Sequence, residues 1–336
     1  MRSILILGAA GNVGTAAAEY LSQNSWQVRA FVPPWENSKR IEILKNVGCD
    51  IIKGDIRNAN DLLLAMNQMN AVVNCAAAMP DVQDKKIQFE MNVLGSEKIL
   101  RAASKAKVQQ IIFISTAGVA SHAKKNILCD ESTPYRKPQN VHVWSKIEAE
   151  KRIDEVSCEV GLPSIILRPV SVYGKGVSFR WPQIFQMVKK GKAMLIDHGV
   201  CPYPLIHVED VARAIYLSLE QLTHLTKNQK FILSSHESTT MADIFNYIAD
   251  YYGVKRPKSL PFPLVLVGSC FVKCIPSFLK GERLKLVRPG TAVEYKYGHH
   301  YNTEHAKQLL GFETNIPFKE GMGEALKFYE SVNYRN

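Results

Sequence analysis

Short, mainly apolar runs recur along the first half of the chain at residues 4–7, 28–32, 50–52, 71–74, 111–115 and 164–167. Runs of this length with little polar alternation mark strands buried on both faces of a parallel sheet. Between them, residues 13–23, 59–66 and 90–106 repeat apolar positions every three or four residues, the period of a helix with one buried side. Strand and helix alternate, which predicts an α/β fold with a doubly wound parallel sheet, whose ligands sit outside the carboxyl ends of the strands. After Pro169 the texture changes: Pro and Gly become frequent and the strand pattern less regular. We therefore expect residues 1–168 to form the sheet domain and 169–336 mainly a second lobe, with segments near 204–234 returning to the sheet. Residues 318–329 read as an amphipathic closing helix.

Composition changes this picture little. Of 336 residues 46% are hydrophobic and 22% charged, which is ordinary for a folded globular chain. A net charge of +11 suits an anionic ligand such as a dinucleotide. No basic run is interleaved with aromatics, so a nucleic-acid partner is not expected. The seven cysteines are scattered, with no CxxC pair, which predicts neither a disulfide framework nor a metal site and fits a reducing, cytoplasmic setting. Met1-Arg2-Ser3 runs directly into the first strand, leaving no room for a signal peptide. The longest apolar stretch, residues 264–272, is well short of the roughly 20 residues that cross a bilayer.

Candidate chemistry begins at residue 8. Gly8-Ala9-Ala10-Gly11-Asn12-Val13-Gly14 lies between a predicted strand and a predicted helix. Glycines spaced three apart let the backbone approach a pyrophosphate and the helix pack close to the strand. The helix N-terminus supplies amide donors for the phosphates. This predicts NAD(P)(H), with Gly8, Gly11, Asn12, Val13 and Gly14 among its contacts. The second strand ends in Pro33-Pro34, without the carboxylate that usually holds a ribose 2′-hydroxyl, and Lys39 and Arg40 follow. That tilts the expectation toward NADP. Asp55-Ile56 after the third strand is placed to meet an adenine. Ala76 and Ala77 after the fourth are small enough for a ribose to lie on the backbone.

Taken together, these residues resemble the extended short-chain dehydrogenase/reductase superfamily, of the NAD-dependent epimerase/dehydratase type, over nearly the whole chain. Asn92-Val93-Leu94-Gly95, Phe113-Ile114-Ser115-Thr116, Leu167-Arg168-Pro169 with Val172-Tyr173-Gly174, and His207-Val208-Glu209-Asp210 extend the match. The resemblance implies a Rossmann-type sheet with a smaller C-terminal substrate lobe, an NAD(P)-dependent oxidoreductase, and Asn92 and Pro169 beside the cofactor. It also implies a Tyr and a Lys four residues apart on one helix, the lysine lowering the phenol pKa and holding the nicotinamide ribose. Here Lys146 stands but the tyrosine position is His142. Three accounts remain open: His142 exchanges the proton, titrating near 6.5 as an ordinary imidazole does; another group or water serves; or a dinucleotide binds without turnover. Thr116 aligns with the hydroxyl that polarises the substrate oxygen.

The substrate expectation follows from departures. Ala117-Gly118 stands where sugar dehydratases carry Asp-Glu, and Arg168-Pro169-Val170-Ser171 lacks the asparagine typical of sugar-nucleotide epimerases. The chain is most similar to the 3β-hydroxysteroid dehydrogenase and dihydroflavonol reductase branches. These imply a small-molecule secondary alcohol or ketone on an apolar cyclic skeleton, sterol-, terpenoid- or polyphenol-like. Residues 261–279 are apolar enough to line such a pocket. Flanking Lys258, Lys273, Lys280, Arg283, Lys285 and Arg288 allow residues 258–288 to make peripheral contact with an anionic membrane. The alternatives are a nucleotide-sugar epimerase with tightly held NAD and a non-catalytic dinucleotide-binding sensor or scaffold. Homodimerisation is compatible with the sequence.

Overall fold

A computed structural model describes residues 2–121, 127–177, 179–274 and 289–332. Seven parallel strands form its central sheet: β1 (Ser3–Leu7), β2 (Gln27–Val32), β3 (Asp50–Lys53), β4 (Ala71–Asn74), β5 (Gln110–Ile114), β6 (Ile165–Pro169) and β7 (Gln229–Leu233). They lie in the order β7-β6-β5-β4-β1-β2-β3, so the direction of winding reverses between β1 and β4. A crevice opens at such a reversal, outside the carboxyl ends of the strands.

The strands pack by simple alternation. In β1, Ile4 and Ile6 point to one face of the sheet, and Leu5 and Leu7 to the other. The first face is covered by helices α1 (Asn12–Gln23) and α6 (Val208–Gln221), which pack on each other and contribute Ala17, Leu21, Val211 and Ile215. The second is covered by α3 (Ala59–Met66), α4 (Gly95–Lys105) and α5 (Val141–Val160), which contribute Leu62, Ile99 and Ile153. A further helix, α2 (Ser38–Asn46), follows β2.

One expected helix is divided. Residues 90–106 read as a single periodic stretch, but Phe89–Leu94 is wound more widely, with the regular helix starting at Gly95. The cause lies at Asn92, whose buried side chain takes three partners: it accepts from Ala78 N–H (2.9 Å) and donates to Gln88 Oε1 (2.8 Å) and Ser145 Oγ (2.8 Å). Widened turns of this kind often mark functional sites.

The second lobe is held by three-residue strand pairs: Ser171–Tyr173 with Leu205–His207, and Met194–Ile196 with Lys258–Leu260. Helices Trp181–Lys189, Met241–Tyr251 and Phe318–Ser331 pack around Phe185, Ile244, Ile248, Met322 and Leu326. The last is the expected closing helix. Phe262–Cys274 is also helical, while residues 275–288, including Lys280, Arg283, Lys285 and Arg288, lie outside the described residues. No helix among the described residues is long and apolar enough to cross a membrane.

Candidate active site

The glycine loop sits at the β1/β4 reversal. Gly8 has φ +73°, and a Cβ there would come within 2.7 Å of the Ala76 backbone on the neighbouring strand end. A Cβ on Gly14 would lie 2.3 Å from the Gly8 carbonyl oxygen. Thr15 Oγ1 donates to the Ala9 carbonyl (3.0 Å), tying the loop to the first turn of α1. Gly11 caps that helix without a side-chain bond, so no side chain occupies the first-turn amides of Asn12, Val13 and Gly14. An anion-binding helix start, a turn only glycine can make and a flat floor of alanines fit a dinucleotide pyrophosphate.

The other expected cofactor residues differ in their surroundings. Ala76 and Ala77 follow β4, Ala76 N–H being held by Asn74 Oδ1 (3.1 Å). Lys39 and Arg40 are exposed in the first turn of α2, Arg40 lying 4.0 Å from Glu36. Asp55 is gripped by the Arg57 guanidinium (3.0, 3.0 and 2.5 Å), which holds its carboxyl below the usual range. Ile56 is buried in the sheet core. Asn92 spends its side chain on pinning Ala78 to Ser145 of α5. Pro169 ends β6, paired with Leu233.

Helix α5 presents His142, Lys146 and Glu150 at intervals of four, one face of three successive turns. Asn140 fixes its start by accepting from Val143 N–H (2.8 Å). Lys146 Nζ donates to the Ile114 carbonyl at the end of β5 (2.9 Å). Burial lowers its pKa to about 8, against the opposing charges of Glu150 and Cys75. A small cavity lined by Asn74, Ala76, Ile114, Ser115, Lys146 and Glu150 separates α5 from the ends of β4 and β5.

His142 is the departure from expectation. Burial, and secondly the Lys146 charge, push its pKa down to about 4, partly opposed by a hydrogen bond with the Ala78 backbone. The ring is therefore neutral at pH 7, not poised near 6.5. Its Nδ1 is buried with no hydrogen-bond partner. The two neighbouring hydroxyls differ in availability. Ser115 is buried and donates to Glu150 Oε1 (2.5 Å). Thr116 is partly exposed and only accepts, from Gly118 N–H (3.2 Å), leaving its own proton to give.

Two sets of contacts escaped the sequence reading. Glu150, 1% exposed, meets Arg168, 2% exposed, in a buried ion pair (2.6 Å). It also accepts from Tyr135 Oη (3.0 Å), whose hydroxyl in turn accepts from Lys230 (3.0 Å). Tyr135 is thereby committed away from His142. The helix spacing from Lys146 was the available clue to Glu150. The second group joins the lobe to the sheet domain: Ser121 Oγ meets His299 Nδ1 (2.7 Å), and Arg136 bridges Ser121 (3.4 Å) and Glu294 (3.3 Å). With partners up to 178 residues apart, nothing local in the sequence marks these contacts.

A doubly wound sheet with a glycine turn at its reversal and a Lys-bearing helix beside it defines a dinucleotide-binding α/β protein. The chain belongs to the NAD dependent epimerase/dehydratase family, whose model matches residues 4–233. It is an NAD-dependent oxidoreductase of the extended short-chain dehydrogenase/reductase superfamily, related to proteins that act on small molecules. Among curated relatives, it is 21% identical to 3beta-hydroxysteroid-dehydrogenase/decarboxylase isoform 1 of Arabidopsis thaliana over 309 residues, covering 88% of this chain and 70% of that one. It is 23% identical to 2-alkyl-3-oxoalkanoate reductase of Shewanella oneidensis over 328 residues, covering 94% and 84%. Among solved structures, UDP-glucuronic acid 4-epimerase from Bacillus cereus in complex with NAD aligns with a TM-score of 0.76 at 16% identity, covering 98% of this chain and 99% of that one.

Proposed function

We propose that the protein interconverts a secondary alcohol and a ketone on an apolar cyclic skeleton, with His142 in the place of the usual tyrosine. The observation that carries this reading is the buried, unpartnered Nδ1 of His142, one turn from Lys146. Thr116, two residues past the end of β5, whose last carbonyl Lys146 holds, has a hydroxyl with its proton to give. In the oxidative direction the substrate hydroxyl donates to His142 Nδ1, which takes the proton as the carbon–oxygen double bond forms. Thr116 donates to the same oxygen and fixes its orientation. In the reverse direction protonated His142 returns the proton.

The glycine loop, Ala76, Ala77 and Lys146 would hold the dinucleotide, Lys146 at the nicotinamide ribose and Lys39 and Arg40 at a 2′-phosphate, which favours NADP over NAD. When bound, that group supplies hydride-transfer chemistry. Two features support the substrate class: Ala117-Gly118 offers no acid–base pair for dehydration, and both curated relatives described above carry names of enzymes that act on hydroxyl or oxo groups.

Replacing His142 tests the role directly. His142→Ala is expected to lower kcat by roughly a hundredfold or more, the usual contribution of a positioned acid–base group, while cofactor affinity, measured by fluorescence titration, stays unchanged. Full turnover by this variant would remove His142 from the mechanism.

A further inference from the structure

One corner of the lobe, remote in sequence from the catalytic helix, exposes apolar side chains that have no evident role in folding. On helix Phe262–Cys274, Leu264 is 64% and Val267 55% exposed, three residues apart on one face. The strand before that helix, Lys258–Leu260, pairs in parallel with Met194–Ile196, setting Lys258 opposite Met194, which is 49% exposed. Val200, 65% exposed, follows the turn Asp197–Gly199. That turn is stitched to the same helix: Asp197 Oδ1 accepts from Phe262 N–H (2.7 Å), and His198 N–H bonds Ser259 Oγ (2.7 Å). Four apolar side chains from two distant segments thus share one corner.

The charges around them are of one sign. Lys190, Lys192, Lys255 and Lys258 are all exposed on the same two segments. In residues 189–200 the single carboxylate is Asp197, and it is occupied by Lys296. Residues 255–274 contain four Lys or Arg and no acid. Exposed apolar side chains within a basic field match an anionic lipid surface, where lysines meet headgroups and the apolar tips enter the acyl boundary. A soluble face would not need the apolar tips. A purely electrostatic site for an acidic protein would not need them either.

We infer that this corner, centred on Leu264, Val267, Met194 and Val200, is a peripheral docking surface for an anionic membrane. It does not depend on the catalytic reading, since it uses none of the proposed catalytic or cofactor residues.

Flotation of the full-length protein with vesicles tests it. Binding is expected to phosphatidylcholine vesicles containing phosphatidylserine, to be much weaker without it, and to fall as salt rises. The variant Leu264→Gln/Val267→Gln is expected to lower partition by more than roughly tenfold, and Lys190→Gln/Lys192→Gln by about tenfold or more. Because all four side chains are exposed, thermal unfolding should be unchanged in both variants, and Lys190→Gln/Lys192→Gln should leave oxidoreductase activity in solution unchanged. Equal binding to both vesicle types, or binding that ignores Leu264 and Val267, would overturn the proposal. So would a lipid-free self-association abolished by Leu264→Gln/Val267→Gln, which would make the corner a contact between two copies of the chain.

Discussion

At His142 the influences that make the ring available also make it a weak base. Burial and the Lys146 ammonium both disfavour a second positive charge, which brings the pKa to about 4. The sign of each pH limb follows. Oxidation needs neutral His142 and charged Lys146, so its kcat/KM should fall below about 4 and again as Lys146 deprotonates near 8. Reduction needs the imidazolium, so its rate should climb as the pH drops toward 4. Parallel profiles in the two directions would contradict proton exchange at this ring. At the glycine loop the expected effect is steric. Gly14→Ala puts a methyl 2.3 Å from the Gly8 oxygen. Overpacking of this kind costs about 1–3 kcal/mol, so we expect cofactor affinity to drop roughly tenfold, read by isothermal titration.

Helix α5 carries both chemistry and stability. Its first turn presents His142 and its third presents Glu150, whose carboxylate joins β5, β6 and β7 through Ser115, Arg168 and Lys230. Removing one partner of a buried ion pair leaves the other charge without compensation, at a cost of about 3–5 kcal/mol. Glu150→Ala should therefore unfold at markedly lower denaturant concentration. A loss below about 1 kcal/mol would place the pair among the weak ones. The helix was expected only from the family resemblance, whereas the six apolar strands were legible because their pattern is local: residues 4–7 and 71–74 fall within β1 and β4 almost to the residue. The lobe's pairs were not, since a strand of three residues such as Met194–Ile196 is specified by a partner more than sixty residues away. The wide turn at Phe89–Leu94 was hidden for the same reason, being forced by Asn92 reaching Ala78 and Ser145.

Over the whole molecule, the sheet carries the glycine turn at its reversal, and residues 289–301 are tied back to it through Ser121 and His299. The turn could be read from seven residues of sequence, because Gly8 and Gly14 sit where a Cβ would meet the backbone. The contacts among Ser121, Arg136, Glu294 and His299 could not, because they join side chains from distant parts of the chain. The account is tested most directly by following reduced-nicotinamide absorbance with the purified protein and a panel of apolar cyclic ketones, alkyl oxo-acids and UDP-sugars. It predicts cofactor-dependent reduction of cyclic ketones, faster with NADPH than with NADH, and no conversion of UDP-sugars. Tight cofactor binding without turnover of any carbonyl compound, or epimerisation of a UDP-sugar, would contradict it.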